Sequence, residues 1–124
     1  MSEATDLVQR YLEVWNETDP YIRLAAVECL WADDARYVDP LAAVTGHAQI
    51  ADLIGAVQQQ AAGHVFRLLD GIDAHHNLAR FSWELVPKDG GESLAEGFDV
   101  AVTDDDGRIS RVLGFLDKTP APAV

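Results

Sequence analysis

The sequence is poor in cysteine and in basic residues, and it contains no long apolar run. Its single cysteine, Cys29, cannot form an intramolecular disulfide, which fits a reducing compartment and favours a cytoplasmic location. Only 9 Lys and Arg side chains accompany 21 Asp and Glu, so the net charge is −12. Nucleic acids and anionic membranes attract basic proteins, so we expect neither as a partner. No apolar stretch approaches the roughly 18 residues of a membrane-spanning helix.

Sequence signals for common cofactors are missing as well. The chain has no phosphate-binding glycine loop, no G-x-S-x-G motif and no dinucleotide fingerprint. Its four histidines form no helical i, i+4 pair, and the adjacent His75 and His76 are expected to point to opposite sides of a strand. We therefore expect no metal and no cofactor. Cys29 lies outside any nucleophile motif and is expected to pack within a helix.

What the sequence does contain is ordinary for one globular domain. Apolar residues make up 48% of its 124 positions, enough for a core of its own. Apolar residues recur at helical spacing in three segments of the first half, which predicts helices over residues 5–16, 20–31 and 47–61. Asp19-Pro20 is typical of a helix start. Ala32-Asp33-Asp34 is expected to end the second helix.

The second half changes to a period of two, typical of strands. A short strand over residues 35–38 and then a loop to Gly46 precede the third helix, and four longer strands follow it, near residues 64–70, 74–86, 94–103 and 108–117. The order predicts an α+β fold with three helices on one face of a mainly antiparallel sheet. We expect one domain over residues 1–118 and a loose tail over 119–124. Strands that are apolar on both faces favour a homodimer through the outer sheet face.

Asp99 is the most informative polar residue of this second half. It lies mid-strand on a face otherwise made of small residues, Ala95, Gly97 and Ala101. Small neighbours leave space, and a carboxyl facing an apolar void has a raised pKa, as a general acid requires. The alternatives are an exposed Asp and an ion pair with Arg80 or Arg111.

Asp39 and Tyr11 are two further candidates. Asp39 precedes Pro40, which is common turn chemistry, but the same carboxylate could be a general base at the mouth of a pocket. Tyr11 lies on the apolar face of the first helix. It could donate to an oxyanion, or it could be a core tyrosine bonded to a backbone carbonyl.

Several segments carry a resemblance to a known family. They are residues 11–19, 30–40, 46–50 and 105–117, which include Leu30-Trp-Ala-Asp-Asp-Ala-Arg-Tyr-Val-Asp-Pro40 and Gly46-His-Ala-Gln-Ile50. The chain resembles the nuclear transport factor two-like superfamily, in particular its SnoaL-like branch. That resemblance implies a cone-shaped α+β barrel, with a curved sheet wrapped on a helix and a pocket open at one end.

Ketosteroid isomerase is the sharpest comparison within the superfamily. Val8-Gln9-Arg10-Tyr11 resembles its first helix, and Asp33-Asp34-Ala35 followed by Asp39-Pro40 resembles the pattern around its base. By similarity, Asp39 would move a proton next to a carbonyl, while Tyr11 and a protonated Asp99 would donate hydrogen bonds to the enolate. A neutral Asp donor in that enzyme is an established case. The segment between Tyr11 and Asp39 is longer here, and the loop 41–45 differs.

The resemblance thus implies an isomerase or cyclase acting on a small apolar, polyketide-like or steroid-like molecule. Five side chains are expected to bind it: Trp15, Trp31, His64, Phe66 and Trp83. The chain resembles the epoxide hydrolases of the superfamily less, because it has Arg80-Phe81-Ser82 where they need Arg-x-Asp on one strand. A ligand-binding or scaffold protein without catalysis is the remaining alternative, since fold does not transfer function.

Overall fold

Three helices pack on one face of a seven-stranded sheet. The computed structural model describes residues 3–69 and 71–119. The helices are α1 (Glu3–Asn16), α2 (Pro20–Leu30) and α3 (His47–Gln60). The strands, in chain order, are β1 (Trp31–Val38), β2 (Ala43–Thr45), β3 (His64–Leu68), β4 (Asp73–His75), β5 (Leu78–Pro87), β6 (Ala95–Thr103) and β7 (Ile109–Lys118).

The sheet runs in the order β2-β1-β7-β6-β5-β3, with β4 also paired to β5. All neighbours are antiparallel except β1 and β7, which are parallel. The sheet is curved but not closed, so it is an open form of the expected barrel. The expected fold class, helices on a curved and mainly antiparallel sheet, is confirmed.

Local sequence explains where the helices begin and what they bury. Asp19 caps α2, because its Oδ1 accepts hydrogen bonds from the backbone N–H groups of Tyr21 and Ile22, and Pro20 occupies the first helical turn. The predicted apolar faces of α1 and α3 do face the sheet. They bury Val8, Tyr11, Val14 and Trp15 from α1 and Ile50, Ala51 and Ile54 from α3.

The first strand is longer than predicted. It begins at Trp31, where the sequence indicated only 35–38, so Ala32-Asp33-Asp34 does not simply end the helix. Its pairing with β7 shifts register between Trp31 and Arg36, and the carboxylates of Asp33 and Asp34 turn outward there. The irregularity hides the strand from a period-two pattern.

Two other strand predictions were wrong. The expected loop before Gly46 contains β2, which pairs with β1 through Tyr37 and Val44. The expected strand over 74–86 is two strands, β4 and β5, joined by a turn at His76, whose φ is +52°. His75 and His76 therefore do not point to opposite sides of a strand: their Nδ1 atoms lie 3.0 Å apart.

Smaller differences concern Cys29 and the end of the chain. Cys29 is exposed on α2, so it does not pack as expected. Lys118 belongs to β7, and its Nζ donates to the carbonyl oxygen of Ser93 at 2.7 Å. Of the tail expected over 119–124, residues 120–124 lie outside the described residues. No helix within residues 3–69 and 71–119 has the length and apolar character needed to cross a membrane.

The outer sheet face carries apolar side chains away from the helices. The rings of Phe98 and Phe115 stack there at 4.9 Å, and Phe115 is 52% exposed. The homodimer expected through this face stays a prediction.

Candidate active site

A mainly apolar cavity of about 630 Å³ lies between α1, the end of α3 and the inner face of the sheet. Its size is within the range of small-molecule sites. Its polar side chains come from α1, β1, β5 and β6, from Asp39 directly after β1, from Gln60 at the end of α3 and from Thr119 after β7. The lining residues that matter below are Tyr11, Trp15, Tyr37, Asp39, Phe66, Trp83 and Asp99.

The Asp99 carboxyl lies at the inner wall of this cavity, where two side chains donate to it. The Tyr11 hydroxyl donates to Oδ2 at 2.7 Å, and the Trp83 indole N–H donates to Oδ1 at 3.2 Å. Asp99 is only 4% exposed and Tyr11 2%. Asp99 is therefore neither an exposed residue nor the partner of Arg80, which pairs with Asp73.

Burial raises the pKa of the Asp99 carboxyl to about 6, from an ordinary 3.8. The hydrogen bonds from Tyr11 and Trp83 act in the opposite direction and lower that pKa, whereas the negative charge of Asp39 raises it. The pKa of Tyr11 is raised well above 10, chiefly by burial and then by the charge of Asp99. Near neutral pH, Asp99 can thus gain or lose a proton while Tyr11 keeps its own.

Asp39 is held at the end of β1 by three hydrogen bonds. Its Oδ1 accepts from the backbone N–H groups of Leu41 and Ala42, each at 2.8 Å, and its Oδ2 accepts from the Tyr37 hydroxyl at 2.6 Å. Asp39 therefore does stabilise a turn, as the Asp39-Pro40 pair indicated, and it does so through Oδ1. The same carboxylate also lines the cavity, so turn and site are combined in one residue.

Gly114 separates the two carboxyls. It pairs with Asp99 on neighbouring strands, and a Cβ atom at this position would lie 2.9 Å from Asp99 Oδ1 and 3.2 Å from Asp39 Cβ. A side chain there would occupy the space that lets both acids reach one cavity. Their proximity explains why the charge of Asp39 affects the pKa of Asp99.

The structure brings six of the eight sequence-predicted site residues to this cavity. Tyr11, Asp39 and Asp99 line it, together with three of the expected binding residues, Trp15, Phe66 and Trp83. Trp31 does not: it is fully buried in the core, with its ring 5.8 Å from that of Tyr11. His64 lines a neighbouring cleft instead, and its Nδ1 lies 3.0 Å from the carbonyl oxygen of Ala62.

Trp15 brings an additional polar atom to the cavity wall. Within the described part of the chain, its indole Nε1 is buried and has no hydrogen-bond partner. The indole lies near the Tyr11 hydroxyl and lowers the pKa of Tyr11, although the geometry falls short of a hydrogen bond. Because this nitrogen is shielded from solvent, its N–H does not open onto the cavity space.

Sequence reasoning missed Tyr37, whose hydroxyl completes the Asp39 site. Burial raises the pKa of Tyr37 well above 10, and the charges of Asp99 and Asp39 raise it further, so it stays a donor. A signal was available, because Tyr37 and Asp39 are two residues apart at the end of a strand and so share a face. Among residues 3–69 and 71–119, no group of three or more His, Cys, Asp or Glu side chains could hold a metal ion.

Comparison with known proteins decides the family. Residues 8–112 match the family described as the SnoaL-like domain. The chain belongs to this family. A SnoaL-like protein from Agrobacterium tumefaciens, provisionally named an isomerase, is 42% identical; the alignment covers 95% of this chain and 100% of that one, with a TM-score of 0.90. The expected superfamily branch is thereby confirmed.

Solved structures with lower sequence identity share the fold. A provisionally named polyketide cyclase from Sinorhizobium meliloti is 20% identical over 92% of this chain and 99% of its own, with a TM-score of 0.68. An NTF2-like protein of unknown function from Exiguobacterium is 18% identical over 91% of this chain and 99% of its own, with a TM-score of 0.70. No curated protein matches the chain. At such identities the likeness concerns the fold alone.

Proposed function

We propose that this SnoaL-like protein is a cofactor-independent isomerase or cyclase that moves a proton next to the carbonyl of a small apolar substrate. The observation that carries the proposal is the convergence of Tyr11, Asp99 and Asp39 on one apolar cavity of about 630 Å³. Two acids with different surroundings, beside a tyrosine that stays protonated, are what acid–base chemistry at a carbonyl requires. The single cysteine fits a reducing compartment, and we place the reaction in the cytoplasm.

In this proposal Asp39 is the base. Its carboxylate takes a proton from the carbon next to the carbonyl, and the electrons of that C–H bond form the enolate. The backbone N–H groups of Leu41 and Ala42 and the Tyr37 hydroxyl fix the orientation of the carboxylate. A fixed base needs no reorganisation when the proton is transferred.

Tyr11 and the protonated form of Asp99 would stabilise the enolate oxygen. Both are buried at the inner wall, and burial favours the neutral acid, as the pKa of about 6 for Asp99 indicates. A carbonyl oxygen placed between them would accept one hydrogen bond from each, in a site that excludes water. In an isomerase, Asp39 would then return the proton to another carbon of the enolate. In a cyclase, the enolate carbon would form a C–C bond to a second carbonyl, whose π electrons become an alkoxide that takes the proton back from Asp39.

The cavity wall indicates the substrate class. Trp15, Phe66 and Trp83 present aromatic surface, with Trp15 and Phe66 packed edge to face at 5.3 Å. Such walls suit a compact apolar ketone, enone or polyketide-like molecule better than a charged metabolite.

Exchange of carbon-bound hydrogen tests the chemistry without knowledge of the substrate. Small apolar ketones and enones are incubated with the protein in D₂O, and loss of the α-proton signal is followed by ¹H NMR. We expect Asp39→Asn to slow the exchange by at least about 100-fold, because a general base contributes 10²–10⁴-fold. Asp105→Asn, the same change in an exposed turn, should leave the rate unaltered. Unchanged exchange in Asp39→Asn would exclude this base.

A binding protein without catalysis is the second candidate, and one observation favours it. The Tyr11 hydroxyl already donates to Asp99 at 2.7 Å, so this pair is satisfied without a ligand. Tryptophan fluorescence of the same mixtures separates the two functions. Saturable quenching without hydrogen exchange in any ketone would identify a binder.

A further inference from the structure

A second cleft, of about 500 Å³, lies beside the active-site cavity. It is bounded by the link between α1 and α2, by α3 and by β3. Four residues line both spaces and form the partition between them: Trp15, Ala61, Phe66 and Leu85. No residue of the proposed acid–base group, Tyr11, Asp39 or Asp99, faces this second cleft.

Arg23 is a buried cation in the wall of this cleft. It is only 7% exposed, although it is a charged side chain on the first turns of α2. Its Nε donates to the carbonyl oxygen of Glu17 at 3.3 Å, and Nη2 reaches the carbonyl oxygen of Thr18 at 3.5 Å and Gln58 Oε1 at 3.3 Å. All three are neutral acceptors at long distances, and they approach the two nitrogens Nε and Nη2.

The third guanidinium nitrogen, Nη1, differs from the other two in its surroundings. It accounts for two of the five N–H donors of arginine, and within residues 3–69 and 71–119 it has no acceptor. It lies beside Gly55, where a Cβ atom would be 3.0 Å away. The absence of a side chain at position 55 keeps Nη1 open to the cleft.

The charge of Arg23 has no counter-ion among the described residues. No Asp or Glu is found among the 16 residues that line the cleft, although the chain has 21 acidic residues. The nearest carboxylates along the chain, those of Glu17 and Asp19, accept backbone N–H groups of residues 19, 21 and 22. Lys88 and His64 also line the cleft. Buried charges are normally paired, so a buried guanidinium with neutral acceptors alone is a candidate partner for an anion.

We propose that this cleft binds a small organic anion, a carboxylate or a phosphate ester, through Arg23 Nη1 with Lys88 at its rim. A hydrogen bond from the Nη1 N–H groups to a carboxylate or phosphate oxygen is charge-assisted and therefore stronger than one to a neutral acceptor. The partition residues Trp15 and Phe66 offer aromatic surface to the body of the ligand. The site is independent of the proposed reaction, but an occupant would touch the wall of the active-site cavity.

NMR titration with matched probes tests this site. Benzoate, phenyl phosphate and inorganic phosphate are added separately to ¹⁵N-labelled protein, with uncharged benzamide as the control. We expect saturable shifts of the Trp15 indole N–H and of the Val65 amide with at least one anion, and none with benzamide. The ranking of benzoate against phenyl phosphate tells which anion is preferred, and inorganic phosphate tells whether the aromatic body is needed. Equal shifts with benzamide, or no saturable shift with any anion, would overturn the proposal.

Variants distinguish a binding role of Arg23 from a purely structural one. Arg23→Gln should lower the affinity for the preferred probe at least tenfold. Arg10→Gln, an equal charge change at an exposed position of α1, should leave that affinity within twofold of wild type. If Arg23→Gln does not fold, Lys88→Gln and Gly55→Ala decide the question, since the first changes only the rim and the second crowds Nη1. Unchanged affinity in Arg23→Gln, or in both other variants, would refute the site.

Discussion

Gly114 and Asp99 face each other on the paired strands β7 and β6, at a distance that leaves no room for a side chain. A Cβ atom on residue 114 would lie 2.9 Å from Asp99 Oδ1. Real Cβ atoms do not approach other atoms so closely, so the carboxyl can occupy its place only because residue 114 is glycine. The same glycine admits Asp39, whose Cβ would be 3.2 Å away.

Gly114→Ala is therefore expected to destabilise the protein by about 1–3 kcal/mol, as overpacking of a filled core does. The added methyl group has to displace Asp99 or Asp39, and both are held by hydrogen bonds. Urea unfolding measures the change. Gly71→Ala, where a Cβ would meet nothing within 4 Å, serves as the control for the general effect of replacing glycine. An equal loss of stability at both positions would show that the close contact of residue 114 with Asp99 does not affect the free energy of unfolding.

Stability should fall as the pH rises from about 4 to about 6, and Asp99 should be the cause. The unfolded chain loses this proton near pH 3.8 and the folded one near 6, so between these values the folded state holds one more proton. The contribution of Asp99 to the free energy of unfolding then decreases with pH in that window, by about 3 kcal/mol in total, and is constant outside it. Urea unfolding of wild type and Asp99→Asn at pH 4 and pH 7 measures this contribution.

The comparison needs a second acid as a reference. Asp105→Asn removes a carboxyl from an exposed turn and should follow the wild-type curve. Only Asp99→Asn should flatten the decrease. Parallel wild-type and Asp99→Asn curves would mean that the carboxyl is not desolvated.

Tyr11→Phe removes the hydroxyl that donates to Asp99 at 2.7 Å. Since that hydrogen bond lowers the pKa of Asp99, its loss should raise the pKa above the present value of about 6. Stability should decrease by about 1–3 kcal/mol, because a buried acceptor loses a partner. A ¹³C NMR titration of the Asp99 carboxyl measures the pKa. Tyr21→Phe, at an 85% exposed tyrosine, should change neither the pKa of Asp99 nor the stability. An unchanged Asp99 pKa in Tyr11→Phe would contradict the hydrogen bond between the two side chains.

The expected homodimer is tested by sedimentation. If a second copy covers the outer sheet face, Phe115→Glu should shift the protein from dimer to monomer, because a carboxylate would be buried beside Phe98. Glu96→Gln, on the same strand face as Phe98, is the control and should leave the dimer intact, because it introduces no charge. A wild-type monomer at high concentration would exclude the dimer.

The fold could be predicted because its signals are local. Apolar spacing revealed the helix faces, and Asp19-Pro20 marked the start of α2. The turn at His76 and the pairing of β2 with β1 are local features that the pattern missed, whereas other missed features depend on distant partners. The register shift near Trp31 is imposed by β7, and the exposure of Cys29 depends on which face of α2 meets its neighbours. No periodicity in one segment contains that information.

The site was predicted only in part for the same reason. The polar residues Tyr11, Asp39 and Asp99 stood out as polar groups in apolar or turn surroundings, and they do meet in one cavity. The sequence could not distinguish Trp31 and His64 from the residues that do line the cavity. Composition predicts that a ring is buried, but not which cavity or core region it faces. Trp31 fills the core and His64 the second cleft.

The parallel pairing of β1 with β7 decides when the candidate site can form during biosynthesis. Tyr11 and Asp99 are 88 residues apart in the chain. Tyr37 pairs with Val112 of β7, so β1 has its neighbour in the sheet only after β7 has been made. Contacts between such distant segments close late and slowly. A nascent chain leaving the ribosome can form helices and hairpins early, but the cavity lacks the wall that Phe115 and Leu116 supply until β7 has emerged.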